Sequence, residues 1–259
     1  MTAAHLPRPG AARAPLHVHR LRVPLTDGAA TTVHLVEHPL DETEVRVVRL
    51  RRARPLAAWC AAQGVVDALV GGFYVRTDGR PLGELRTRGI ARRAEPFAPP
   101  WGAVRACVHL GPAGPVIARR HELPDHPRGD LLQAGPLLVS KGRAIHRDGA
   151  DPEGFAAASH QFDSDITAGR HPRAALAVAG ERLLAVACDG RHPEDAGLTL
   201  GELAHLLVAL GAQHALNLDG GGSTSLVAGG RLVNRPREGD GTPLPGGRAV
   251  STALTFARS

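Results

Sequence analysis

The chain has 259 residues and a formal net charge of +6, enough length for one large domain with a sizeable core. Hydrophobic residues make up 43% but aromatics only 3%, so the core must be built from Ala, Val and Leu, and 31 glycines with 21 prolines call for many turns and few long helices. The charge is nearly all arginine, with Lys141 the one lysine. No basic helix, no aromatic interleaving and no run of ~18 apolar residues is present, which argues against nucleic acid and membrane as partners and leaves anionic small molecules.

Residues 1–20 carry Arg, His and Pro but no apolar run of signal-peptide length. They read as a disordered tail, with residues 21–259 as one domain and the cytoplasm as the expected location. Val45 to Leu50 predicts a strand, and the run Arg49-Leu50-Arg51-Arg52-Ala53-Arg54 reads as its solvated end. Pro55 to Gln63 predicts a short helix ended by Gly64. Asp67 to Tyr74 predicts a strand, followed by a turn at Thr77-Asp78-Gly79-Arg80. Hairpins are expected around Gly111 to Gly114, Ser140 to Gly142 and Gly180-Glu181. Thr199 and Glu202 have capping-box spacing, and Leu203, Leu206, Leu207 and Leu210 form one apolar stripe before Gly211. A strand over Ala215 to Leu218, a glycine loop and a hairpin around Gly229-Gly230 complete the pattern. The fold class is α+β, a single domain whose mostly antiparallel sheet is covered by helices. Cys60, Cys107 and Cys188 are too few and too far apart for a disulfide framework or a zinc knuckle.

The sharpest chemical feature is Asn217-Leu218-Asp219-Gly220-Gly221-Gly222-Ser223-Thr224. Polar residues end a buried strand, and three glycines let backbone approach a ligand and turn its N–H groups outward, as a nest for an anion requires. No Gly-Lys-Ser/Thr follows, so it is not a Walker loop, and a hairpin stands where a Rossmann loop needs a helix. A glycine-rich turn with no ligand is the alternative. Ser223 would need a base beside it to act as a nucleophile, and no esterase elbow surrounds it, so it reads as a loop hydroxyl on the ligand.

This segment resembles the Asp-Gly-Gly-Gly-Ser signature of phosphodiester glycosidase domains. Gly197 to Ala204 resembles that family's Gly-Leu-Thr-Leu-x-Glu-Leu-Ala helix start, Asp189-Gly190-Arg191 its Asp-Gly-Arg turn and Arg170 to Arg173 its Arg-x-Pro-Arg element. Gly135 to Val139 resembles its Gly-Pro strand and Gly71-Gly72-Phe73-Tyr74 its Gly-Gly-Phe-Phe element, all in the family's order. Val70 and Ala174 depart from it, standing where the family has polar residues. The resemblance implies a hydrolase acting on a sugar phosphodiester or a nucleotide-linked sugar. It implies catalytic roles for Asp219, Asp189 and Glu202. It also implies substrate contacts from Arg173, Arg191, His171, Asn217, Gly220, Gly221, Gly222, Ser223 and Gly72. Arg235, with Asn234, stands just past the last hairpin and is a further candidate for substrate binding, a plain polar loop being the alternative.

Chemistry weighs these residues separately. Cutting a P–O bond usually recruits two metals, and His160, Asp163 and Asp165 are the nearest approach to a metal cluster, but their spacing matches no metal pattern and a polar loop explains them. No cofactor is evident; a divalent metal stays open. Cutting the sugar C–O bond needs a carboxylate and, for a phosphate leaving group, positive charge more than a proton. Asp189 could equally open a turn with Arg191 in solvent, Arg173 could pair a structural acid, His171 could be structural before its proline, and Glu202 could serve only as a cap. A binder of phosphorylated glycans without catalysis is the second reading, motivated by Val70 and Ala174.

Overall fold

The computed structural model describes residues 17–156, 161 and 166–258. In chain order the elements are β1 (Val18–Pro24), β2 (Ala30–Pro39), β3 (Thr43–Pro55), α1 (Leu56–Gln63), β4 (Ala68–Val70), β5 (Leu85–Thr87), β6 (Ile90–Ala91), α2 (Trp101–Val104), β7 (Ala106–Gly111), β8 (Gly114–Arg119), β9 (Asp130–Gln133), β10 (Leu137–Ser140), β11 (Arg143–Ala144), β12 (Arg173–Ala179), β13 (Arg182–Cys188), α3 (Leu200–Ala209), β14 (His214–Asn217), β15 (Leu226–Ala228), β16 (Arg231–Leu232) and β17 (Ala249–Arg258).

The strands form three sheets, ordered β1-β2-β13-β12-β14-β10-β11, β16-β15-β4-β17-β3 and β6-β5-β9-β7-β8. Pairings between these strands are antiparallel throughout. The tight hairpins β7–β8 and β12–β13 account for part of this, turning on Gly114 (φ 100°) and Gly180 (φ 61°). β1 takes in Val18 to Arg20, so the N-terminal strand begins inside the stretch expected to be a tail. Its backbone pairs with β2, which overrides the polar composition there.

The seven-stranded sheet is buried on both faces. Leu176 of β12 faces a core shared with the other two sheets, while its neighbours Ala175 and Ala177 face Leu200, Leu203, Ala204 and Leu207 of α3. A strand buried on both sides reads as a continuous apolar run, which explains Ala174 to Val178. Helix plays a smaller part than expected: strand makes up 44% of the structure and helix 12%, so the sheets cover one another and α3 covers one face. α1 ends at Gly64 in the left-handed conformation (φ 67°), and α3 begins with the Thr199–Glu202 capping box, both as its sequence requires.

Candidate active site

Asp219 lies where the chain crosses between sheets. Past the end of β14, Leu218 N–H still donates to Ala174 O of the seven-stranded sheet (2.9 Å), and Asp219 N–H donates to Gly71 O, just beyond β4 of the five-stranded sheet (3.0 Å). Gly71 is seated against β17, donating to Thr252 O (3.0 Å), and a Cβ there would stand 2.5 Å from Thr252 Oγ1. This close approach is why the strand expected over 67–74 stops at Val70. It fixes the backbone of Asp219 from a second sheet. Beside this crossing opens a cavity of ≈ 460 Å³, lined among others by Tyr74, Arg76, Glu95, Arg191, Asp219 and Arg248.

The glycine loop does not form an open nest. Gly220 N–H is taken by Asp219 Oδ1 (2.9 Å), Gly221 N–H by Pro172 O (2.8 Å), and Ser223 and Thr224 N–H groups by carbonyls of Gly220 and Gly221 in a 3-10 turn. That closure occupies four of the donors that an anion would have used: the N–H groups of Gly220, Gly221, Ser223 and Thr224. The glycines instead make room for arginines. A Cβ on Gly221 (φ 59°) would meet Arg191 Nη2 at 3.0 Å, and one on Gly222 would meet Arg248 Nη2 at 3.0 Å. Two guanidinium groups therefore lie against adjacent loop residues. Arg191 Nη1 donates to Arg237 O (3.0 Å), and Arg248 pairs with Glu238 while its backbone N–H donates to Gly222 O (2.9 Å).

Burial pushes the Asp219 carboxyl up to about 6, against the pull of the Ser223 hydroxyl, the Gly220 N–H and the charges of Arg248 and Arg76. Its Oδ2 is buried with no hydrogen-bond partner, as are Asn217 Oδ1, Thr224 Oγ1 and Ser225 Oγ along the same segment. Leaving each such group unsatisfied costs roughly 1–3 kcal/mol, and such strain concentrates where a ligand is bound. Burial and the Asp219 charge raise the pKa of Tyr74, whose phenol lines the same cavity. Burial and the neighbouring Arg248 lower that of Arg191. An acid with a raised pKa thus shares a cavity with clustered cations, the arrangement that stabilises charge developing on a phosphate leaving group.

The profile of one family, phosphodiester glycosidase, matches residues 63–257. The chain belongs to the phosphodiester glycosidase family. No curated protein matches it. Among solved structures it resembles the catalytic domain of zebrafish N-acetylglucosamine-1-phosphodiester alpha-N-acetylglucosaminidase auto-inhibited by its pro-peptide, with a TM-score of 0.72 and 19% identity over 96% of this chain and 86% of that one. It also resembles a hypothetical protein from Synechocystis, with a TM-score of 0.63 and 20% identity over 93% of this chain. The chain spans 62% of that protein's length. At these identities the likeness is one of fold.

Within this phosphodiester glycosidase, the other residues singled out by sequence divide into two groups. Arg191, Asn217, Gly220, Gly221, Ser223, His171 and Arg173 line the cavity with Asp219. Arg173 is anchored there, its guanidinium donating to carbonyls of Leu198 (3.1 Å), Ile166 (2.8 Å) and Gly169 (3.2 Å). His171 Nε2 bonds Ala168 O (3.1 Å), and Asn217 Nδ2 donates to carbonyls of Gly135 (2.9 Å) and Leu218 (3.0 Å).

The second group lies outside the cavity wall. The Asp189 carboxylate is buried and engaged: Oδ2 bonds His34 Nε2 (3.0 Å) and Oδ1 accepts Arg235 N–H (2.6 Å). The Asp-Gly-Arg turn meets the glycine loop through Arg191 instead. The Arg235 side chain is exposed. Glu202 caps α3, accepting Thr199 N–H (2.9 Å), and pairs with Arg170 (2.6 Å). Gly72 is a packing position, where a Cβ would stand 2.9 Å from Gln133 O. Gly222 packs closely on Arg248, whose Nη2 would stand 3.0 Å from a Cβ there. Val70 and Ala174 are fully buried core residues. His160, Asp163 and Asp165 lie outside the described residues. Among the described residues no three His, Cys, Asp or Glu side chains come together as a metal set.

Arg248, Arg76 and Glu95 line the cavity without having been singled out by sequence, and Tyr74 and Arg80, which the sequence marks only within a Gly-Gly-Phe-Tyr element and a turn, line it with them. Arg248 follows Gly246-Gly247, a pairing of glycines and arginine akin to the loop it packs against, and Tyr74 is the one tyrosine of the chain. Arg80 and Glu95 pair with one another (3.0 Å).

Proposed function

We propose that the chain hydrolyses the glycosidic C–O bond of a sugar 1-phosphodiester or nucleotide-linked sugar. The observation that carries this reading is the raised Asp219 carboxyl facing the same cavity as Arg191 and Arg248. The Asp219 carboxylate activates water against the anomeric carbon, or attacks that carbon itself. The C–O bond breaks, and its electron pair leaves on the phosphate oxygen. The guanidinium groups of Arg191 and Arg248 hold that phosphate and stabilise the added charge. A phosphate monoester and the free sugar are the products. Glu95 is a second carboxylate in the cavity wall, tied to Arg80. Val70 and Ala174 lie in the core, so their apolar side chains take no polar group from the cavity, which favours catalysis over simple glycan binding.

Turnover in ¹⁸O-water tests the reaction. Phosphate product without label supports C–O cleavage; label on phosphorus would place the cut at P–O and defeat the reading. Binding of a sugar phosphodiester with no product at all would favour the non-catalytic binder. A mass-spectrometric screen across sugar phosphodiesters and nucleotide sugars tests the wider reading, a role in small-molecule or antibiotic biosynthesis.

A further inference from the structure

The arginine run of β3 has a partner that the sequence does not show. A shallow groove between β3 and the β5–β6 turn is lined by Arg46, Arg49, Arg51, Arg88 and Arg92. Arg46 is paired with Glu44 and Arg92 bonds Thr87, but the exposed side chains of Arg49, Arg51 and Arg88 have no protein partner among the described residues. Against five arginines the groove holds two acids, Glu44 and Asp130.

Asp130 builds the groove rather than neutralising its rim. It is 1% exposed, and its carboxylate accepts Val47 N–H of β3 (3.0 Å) and Arg88 N–H of the turn. One buried acid thereby clamps the two arginine-bearing walls together. It also holds Arg88 in the left-handed conformation (φ 53°), which a non-glycine residue rarely adopts. Fixed backbones presenting unpaired guanidinium groups suit an anion with several charges, and arginine's planar fork suits phosphate. No aromatic side chain lines the groove, so nucleobases would find no stacking platform.

The groove and the cavity are linked by a short stretch of chain: Arg92 lines the one and Glu95 the other, and three residues of chain reach at most ~11 Å. Arg93 stands between them, exposed, and its charge reaches Asp78 in the hairpin turn next to Arg80.

We propose that this groove is an exosite for the continuation of the substrate's leaving group. The sugar phosphodiester held at Asp219 is then one unit of a chain that carries further phosphates, and those lie between β3 and Arg88. This rests on the phosphodiester glycosidase reading of the cavity and adds the substrate class.

The test compares the wild type with the triple variant Arg49→Ala, Arg51→Ala, Arg88→Ala. Turnover is measured on a single-unit aryl phosphodiester of N-acetylglucosamine and on an oligomer of glycosyl 1-phosphate units. Binding of linear inorganic polyphosphate is measured by calorimetry. The oligomer should show a KM lower by about tenfold in the wild type, the scale of three exposed charge pairs, and the triple variant should lose that advantage. Single-unit turnover should be unchanged, and the salt dependence of polyphosphate binding should flatten by about 2 in log–log slope. Equal oligomer KM, or equal polyphosphate binding, in both proteins would overturn the exosite. An oligonucleotide binding more tightly than polyphosphate would make the occupant a nucleic acid and overturn the substrate assignment. Absence of turnover on either substrate would defeat the cavity reading instead, with the polyphosphate titration still deciding the groove.

Discussion

At the scale of residues, Asp219 joins activity to a cost in stability. Its carboxyl is raised from 3.8 to about 6 chiefly by burial, so folding favours the protonated form. The stability this contributes is fully present below pH 3.8 and is lost as pH rises through about 6. Asp219→Asn cannot ionise and should gain on the wild type above that range, by roughly 1–3 kcal/mol, with little difference near about pH 4. Melting curves at the two extremes check this. The same variant should lose about 10²–10⁴ in kcat. The wild-type kcat/KM should show an acidic limb with a midpoint near 6, activity rising as the carboxylate forms. A pH profile flat from acid to neutral would remove Asp219 as the titrating group. For the cations, Arg191→Lys and Arg248→Lys should each raise KM by about 10–100-fold, the worth of a charged hydrogen bond at 1.5–3 kcal/mol. Arg235→Lys should leave KM unchanged, because that side chain is exposed and outside the cavity wall.

At the scale of elements, two acids do structural work beside the site. Glu153 is 1% exposed and accepts Ala106 N–H of β7 (3.0 Å) and Leu137 N–H of β10 (2.8 Å), stapling the third sheet to the first. Its neighbour Arg105, wholly buried, lies between the rings of Phe97 and Phe155, 4.2 and 4.0 Å from their centroids, and donates to Glu153 O (2.9 Å). Glu153→Ala strands two buried N–H groups and should cost about 2–6 kcal/mol in chemical denaturation, at the scale of 1–3 each. Glu202 behaves differently. Glu202→Gln weakens the Arg170 pair but keeps the capping geometry, so stability should fall by about 1 kcal/mol or less while the folded enzyme keeps its kcat. A loss of kcat without loss of stability would return Glu202 to the chemistry.

At the scale of the whole molecule, the family profile begins at residue 63, yet the sheets begin at Val18. β2 pairs along the full length of β13 in the seven-stranded sheet, and β3 pairs along most of β17 in the five-stranded one. A variant starting at Gln63 would expose the edges of β13 and β17, together with apolar faces that Val33, Leu35 and Leu50 now cover. It should express as aggregate, with no cooperative melting. A soluble, cooperatively folding 63–259 fragment would show that the first three strands are dispensable.

The sequence by itself determined the local events. Val45 to Leu50, the β7–β8 and β12–β13 hairpins, α1 with its Gly64 cap and α3 with its capping box were legible because their signals lie within a few residues of one another. The loop from Asn217 to Thr224 was legible for the same reason. β2 and β17 were missed, although Asp27-Gly28 precedes β2, because their places in the sheets are set by pairing with β13 and β3 far along the chain. Which acid reaches the cavity was also a tertiary decision. Asp189 and Asp219 each follow a buried strand, but His34 and the Arg235 backbone absorb the first, while the crossing between two sheets leaves Oδ2 of the second without a partner. The glycines named the place, and packing chose their use. They admit Arg191 and Arg248 instead of an anion, because the positions of those guanidinium groups depend on strands that no local pattern brings together.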